Sequence, residues 1–178
     1  HLALMTRHTA QVMVAGPAVV ERAMGEKLTK DELGGAAVHE RNGVVDLVVE
    51  DEAEAFETTR RFLGYLPTNV FELPPVVRCD DPRNRCEESL LSIVPRERRK
   101  IYAMRRIVEA VFDTGSFFEI APRYGPGQIT GLARLDGRPV GVWANDPRFY
   151  AGAMTAEGAR KVPAAELVIQ GVMMALVR

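Results

Sequence analysis

Between Ile129 and Asn145 the chain reads ITGLARLDGRPVGVWAN, two apolar stretches on either side of Asp136-Gly137. Asp-Gly in that setting is the strongest short-range hairpin signal, because both residues tolerate the dihedrals of a tight two-residue turn. Two antiparallel strands joined at LDGR are therefore expected. The second, Pro139 to Ala144, is apolar on both faces, as in a covered sheet, which also makes Trp143 a core residue. Asn145-Asp146-Pro147 ends that strand, and GAMTAEGARKV then reads as a helix beginning among small residues.

Upstream, AQVMVAGP is a short valine-rich strand closed by Gly16-Pro17. Pro17 suits the first turn of a helix, PAVVERAMGE, with Val19, Val20 and Ala23 on one face. Thr29 and Glu32 have the spacing of a capping box, and Gly34-Gly35 would stop that short helix in a left-handed conformation. NGVVDLVVEDE reads as a turn and a buried strand. Asp51 is placed to cap EAEAFETTRRFLGYL, an amphipathic helix carrying Phe56, Arg60 and Leu63 at helical spacing. Five of the eleven prolines then fall within LPTNVFELPPVVRCDDPRNRCEESLLSIVP, a linker composition. PRERRKIYAMRRIVEAVFD resumes as a helix with Ile101, Met104, Val108 and Val111 inward, and SFFEIAPRYGPG reads as a loop with aromatic anchors. Strands alternating with helices give an α/β class.

Charge and composition narrow the function. A net charge of −1 offers no basic footprint for nucleic acid and no polybasic surface for lipid. No apolar run approaches the ~20 residues that span a bilayer, and no signal peptide opens the chain. It begins at His1, so a natural start upstream is expected. The two cysteines, Cys79 and Cys86, lie far in sequence from the three histidines, His1, His8 and His39. They read as reduced thiols of a reducing compartment, with no metal in the chain.

At the level of ordered motifs the chain resembles the carboxyltransferase (β) subunits of biotin-dependent acyl-CoA carboxylases, the propionyl-CoA and methylcrotonyl-CoA type. The first match is carried by Gly16, Pro17, Gly25, Glu26, Leu33, Gly34, Gly35, His39, Gly43, Val44 and Asp46. The second, beyond the linker, is carried by Asp81-Pro82, Ile93 to Pro95, Tyr102 with Arg105, Asp113 to Glu119, and Gly131 to Asn145. Ala103 departs from the family, which has an acidic residue there. After Lys161 the resemblance stops, and the tail VPAAELVIQGVMMALVR reads as a proline-started apolar helix, core or interface.

The resemblance implies an α/β, crotonase/ClpP-like fold in two partial domains. Residues 1–66 would end the N-terminal carboxyltransferase domain, 67–91 would be the linker, and 92–178 would start the C-terminal one, the chain being either a fragment or one that lacks stretches of a larger protein after Lys161. It implies transfer of CO2 from carboxybiotin to an acyl-CoA enolate, with backbone N–H groups facing the developing charges. A non-catalytic scaffold fragment and a biotin-linked acyl-CoA decarboxylase subunit are the alternatives. Biotin would ride on a partner, acyl-CoA would be the substrate, and a biotin carboxylase or biotin carrier subunit would complete the enzyme. A homo-oligomer with a dimer-built active site, up to a hexamer, is implied, in bacterial cytoplasm or the mitochondrial matrix. The glycine motifs of both oxyanion holes are absent from this stretch, so no residue receives a catalytic role. Asn145, Asp146, Pro147, Gly152 and Ala153 match a loop where substrate or biotin contact is common, or form a structural turn. Gly34, Gly35 and His39 are structural or near the site, His39 as a helix-end cap or core partner rather than a general base.

Overall fold

The computed structural model describes residues 2–82, 84–97 and 99–163. The chain divides into two compact units, His1–Arg60 and Arg61–Arg178. The division falls inside a helix, ahead of the proline-rich stretch 67–91, which groups with the second unit.

In the first unit β1 (Leu4–Thr6) pairs in parallel with β2 (Leu47–Val49), Leu4 opposite Leu47. Parallel strands need a long crossover, supplied here by α1 (Pro17–Met24), α2 (Lys30–Gly34) and α3 (Ala36–Asn42). The caps expected from sequence form. Thr29 Oγ1 accepts from the Glu32 N–H at 3.2 Å while Glu32 accepts from the Thr29 N–H at 2.9 Å, and Asp51 accepts from the Glu54 N–H at 2.9 Å to start α4 (Glu52–Leu63). Met5, Ala36 and Val45 form the core.

Three expectations change here. AQVMVAGP is not a strand, because Val12 spends its backbone elsewhere. Its N–H donates to Gly34 O at 2.9 Å, and its carbonyl accepts from His39 Nε2 at 2.6 Å. A residue whose main-chain groups are satisfied by a helix junction has none left for a ladder. Gly35 has φ −78°, so the helix stop is extended rather than left-handed. On α4, Phe56 and Leu63 are exposed and Phe62 is the buried face.

In the second unit β3 (Phe118–Ile120), β4 (Gln128–Leu135) and β5 (Arg138–Asn145) form an antiparallel sheet in that order. Helices α5 (Leu90–Ile93) and α6 (Met104–Val111) precede it, and residues 156–163 are helical after it. The hairpin is as expected, Leu135 facing Arg138, with Asp136 and Gly137 both left-handed at φ 52° and 74°. The Asp113 carboxylate pins the turn, accepting from the Asp136 and Gly137 N–H groups at 3.0 and 2.8 Å.

The covered strand is β4, not β5. Lying between two strands, β4 buries its first seven residues, and Ile129 and Leu132 contribute about 1.5–3 kcal/mol each. Among the described strands β5 pairs on one edge only, and Trp143 is 59% exposed rather than core. SFFEIAPRYGPG contains a strand, because Phe118 and Ile120 bury on one side of Glu119 in β-type alternation. Helix α6 is shorter than its periodicity suggested, with Val108 buried and Ile101 and Val111 exposed.

Buried Arg134 explains why 67–91 joins this unit. Its guanidinium donates to Pro75 O (3.0 Å), Gly137 O (2.8 Å) and Gly64 O (2.7 Å), and lies 4.7 Å from the Tyr65 ring centroid. The Val77 N–H adds a bond to Gly137 O at 3.1 Å. From residue 164 on, the apolar tail lies outside the described residues.

Gly137→Ala meets both a left-handed φ and Val77 O, which a Cβ would approach to 1.9 Å. Gly115→Ala meets a similar φ of 71° in open space. The first substitution should therefore lower stability by clearly more than the ~1–2 kcal/mol of left-handed strain expected for the second. Chemical denaturation of both variants measures the difference, and equal losses would show that the contact with Val77 is unimportant.

Candidate functional site

The sheet ends at Asn145, and the loop 145–153 that follows carries the residues singled out as ligand contacts. Asn145 and Gly152 come together, with Gln128, Trp143, Ala144 and Met154, around an open recess of about 310 Å3. Pro147 and Ala153 belong to the same loop but are not among its lining residues. Gly152 is required by close packing, since a Cβ there would stand 2.5 Å from Asn145 Nδ2. The recess floor is fixed from two sides. The Trp143 indole N–H donates to Gln128 Oε1 at 3.0 Å, and buried Lys161 donates to Gln128 O at 2.6 Å.

Asp146 sits differently from its neighbours. It has no exposed surface, and its carboxylate accepts from Arg105 Nη1 (2.5 Å), Arg148 Nη2 (2.8 Å) and the Arg148 N–H (3.1 Å). Arg105 in turn holds Glu119 through two parallel bonds of 2.8 and 2.5 Å, the bidentate geometry only arginine offers. Two guanidinium groups and two carboxylates thus close a neutral network among α6, β3 and the loop. Burial pushes the Asp146 carboxyl up, but the hydrogen bonds and charges of Arg148, with the charge of Arg105, outweigh it and hold the group below its ordinary value. Asp146 has its oxygens committed to holding the loop.

The loop needs that hold. Tyr150, Ala151 and Gly152 follow one another at φ 50°, 53° and 80°, a left-handed turn of which only the last member is glycine. Each non-glycine residue in that region costs about 1–2 kcal/mol, so the surroundings must impose it.

In the first unit Gly34, Gly35 and His39 have packing contacts. Cβ atoms on the glycines would lie 2.2 Å from Val12 O and 2.5 Å from Asp31 O. With Nε2 donating to Val12 O, His39 Nδ1 accepts from Asn42 Nδ2 at 3.3 Å, so both ring nitrogens are engaged. Cys79, Asp81 and Asp113 form a group with potential ligand atoms within 4.8 Å of one another. Two of the three also serve as hydrogen-bond acceptors within the fold. Asp113 caps the hairpin, and Asp81 accepts from the Thr114 N–H at 2.8 Å. The Asp81 N–H favours the Cys79 thiolate, yet burial and the Asp113 and Asp81 carboxylates prevail and push the thiol up.

Sequence reasoning missed Arg105, Glu119 and Arg148 as partners of Asp146, and Gln128, Trp143 and Met154 as recess lining. Arg105 and Glu119 lie within the family motifs, and their spacing does not show that they meet.

The described residues form an α/β chain of two units. Residues 1–168 match the family model described as carboxyl transferase domain, and the chain belongs to that family. It is 36% identical over 158 residues to the methylmalonyl-CoA decarboxylase subunit alpha of Veillonella parvula, and 38% over 158 residues to the propionyl-CoA carboxylase carboxyltransferase subunit of Haloferax mediterranei. Each alignment covers 88% of this chain and 31% of the relative, so the chain spans about a third of their length. Among solved structures, a transcarboxylase 12S hexamer with hydrolysed methylmalonyl-coenzyme A bound superposes with TM-score 0.84 at 31% identity, over 92% of this chain and 32% of that one.

A carboxyl whose folded pKa is depressed stabilises the fold fully above its ordinary value of 3.8, and the contribution is lost as pH falls through the lower folded value. Asp146→Asn should therefore be less stable than the parent at pH 7, with the gap narrowing below about pH 4. Denaturation curves from pH 7 to pH 2 measure it, and a gap that widens with acid would contradict the assignment.

Proposed function

We propose that this chain is part of the carboxyltransferase component of a biotin-dependent acyl-CoA carboxylase. The observation that carries the reading is the match of residues 1–168 to the carboxyl transferase domain model, in both units of the chain. Under this reading residues 1–66 end an N-terminal crotonase-like domain, 67–91 connect it, and 92–178 begin the C-terminal one. Carboxybiotin supplies the CO2, and an acyl-CoA enolate accepts it. Oxyanion donors come from parts of the full-length protein outside this stretch.

What this chain contributes is a shaped, neutral recess. Its lining consists of two amide side chains, an indole, a methionine and small residues, with no charged group. That donor set suits a neutral polar ring such as the cyclic urea of biotin better than a phosphate or a free carboxylate. Asn145 and Gly152 would touch that ring and Trp143 would shield it from water, while Asp146 stays behind them. The partners are a biotin carboxylase and a biotin carrier, in a homo-oligomer that shares its sites between subunits. Bacterial cytoplasm or the mitochondrial matrix is the corresponding compartment. Among the described residues no helix is long and apolar enough to cross a membrane.

The similarity to a methylmalonyl-CoA decarboxylase subunit supports a second reading, transfer from an acyl-CoA to biotin. The full-length protein, combined with a biotin carboxylase, a biotinylated carrier, ATP and bicarbonate, should fix labelled carbonate onto propionyl-CoA. Release of CO2 from methylmalonyl-CoA with no fixation would favour the decarboxylase, and neither activity would leave the scaffold reading. In the active protein, Gly152→Ala should reduce transfer on the order of 10–100-fold by displacing Asn145. An unchanged rate would remove this loop from the site.

A further inference from the structure

A strained turn at the rim of a recess holds its shape only if something outside the turn fixes it. Three successive residues, Tyr150 to Gly152, are left-handed, and Gly152 lies against the Asn145 amide. Within the loop, the Phe149 N–H donates to Asp146 O at 3.1 Å and the Gly152 N–H to Phe149 O at 2.8 Å, a chain of bonds leading back to Asp146. The Asp146 carboxylate has two cationic partners. Arg148 belongs to the same loop. Arg105, on α6, reaches it from another element, and its side chain is aimed by two bonds to Glu119 on β3. Neither Arg105 nor Asp146 lines the recess.

We propose that Arg105 is a positioning residue of the transfer site: by holding the buried Asp146 carboxylate it sets the 145–153 loop and thereby the placement of Asn145 and Gly152, without touching the ligand. This role rests on the reading of that loop as the biotin-facing part of the site. Lysine cannot replace it, because a single ammonium cannot span Glu119 and Asp146 in the geometry of a planar fork. Glu119 is the aiming group and acts one step further back.

The test is steady-state kinetics of the full-length carboxylase with its partner subunits, varying the biotinylated carrier and propionyl-CoA separately. Asn145→Ala, Asp146→Asn, Arg105→Lys and the double variant Arg105→Lys/Asp146→Asn are compared, with melting temperatures recorded. Arg105→Lys should raise the KM for the biotinylated carrier about 10-fold while the KM for propionyl-CoA stays within about twofold, on the order expected for losing one buried charged contact. The double variant should be no worse than the poorer single one, because both changes break one linkage. If Arg105→Lys does not fold, Glu119→Gln, which leaves the contact with Asp146 in place, should shift the carrier KM the same way by less. Multiplying effects in the double variant, or a lowered melting temperature with both KM values unchanged, would overturn the positioning role. Should Asn145→Ala alter the carrier KM while Arg105→Lys does not, the role fails and the reading of the loop survives. Should Asn145→Ala also change nothing, that reading falls and the role falls with it.

Discussion

A carboxylate with no exposed surface at the end of a strand obliges its surroundings to be cationic. Removing a buried ionised group's partner costs roughly 3–5 kcal/mol, so its neighbours are held as firmly as it is. Asp146 imposes that condition on the second unit. Arg105 must come from α6 to meet it, Glu119 must come from β3 to balance Arg105, and Arg148 must fold back from the loop. Helix, strand and loop are thereby tied at one point, beside the recess that Asn145 and Gly152 help to line.

The same logic recurs at the opposite end of the hairpin with a different currency, charge against backbone dipoles. Asp113 satisfies the N–H groups of the Asp136-Gly137 turn, and Arg134 satisfies carbonyls from Gly64, Pro75 and Gly137. Charged donors and acceptors make stronger hydrogen bonds than neutral ones, and here they organise chain that has no regular structure of its own. That is why a proline-rich stretch is bound into the sheet unit. In the first unit the close approach of Gly34 to Val12, braced by His39, does the equivalent work with no ion pair. The motif residues that the family resemblance rests on, Gly34, Gly35, His39, Asp113, Glu119 and Arg134, are thus largely the residues that make these junctions.

Local features could be read from the sequence because their physics is local. A capping box needs only Thr29 and Glu32 three apart, and a tight hairpin needs only Asp-Gly between apolar runs. Both are present as expected. Burial was read less well. Pro139 to Ala144 is as apolar as Ile129 to Leu135, and nothing in either run says which will have a strand on both edges. The apolar run around Trp143 points to the core, although an edge position leaves it exposed beside the recess. Ala10 to Gly16 has strand composition, but Val12 is claimed by Gly34 and His39 from a distance in sequence that periodicity does not sample.

The sequence by itself determined the family, the hairpin and its turn, and the helix caps. Each of these follows from residues near one another in the chain or from motifs preserved in order. Only the tertiary structure decided that Asp146 is the loop's anchor, that Arg105 and Glu119 face it, and that β4 rather than β5 is the covered strand. These depend on meetings across 14 and 41 residues of chain. A charge takes its meaning from the partner that folding brings to it, and the partner's place is set by the packing of elements rather than by any spacing.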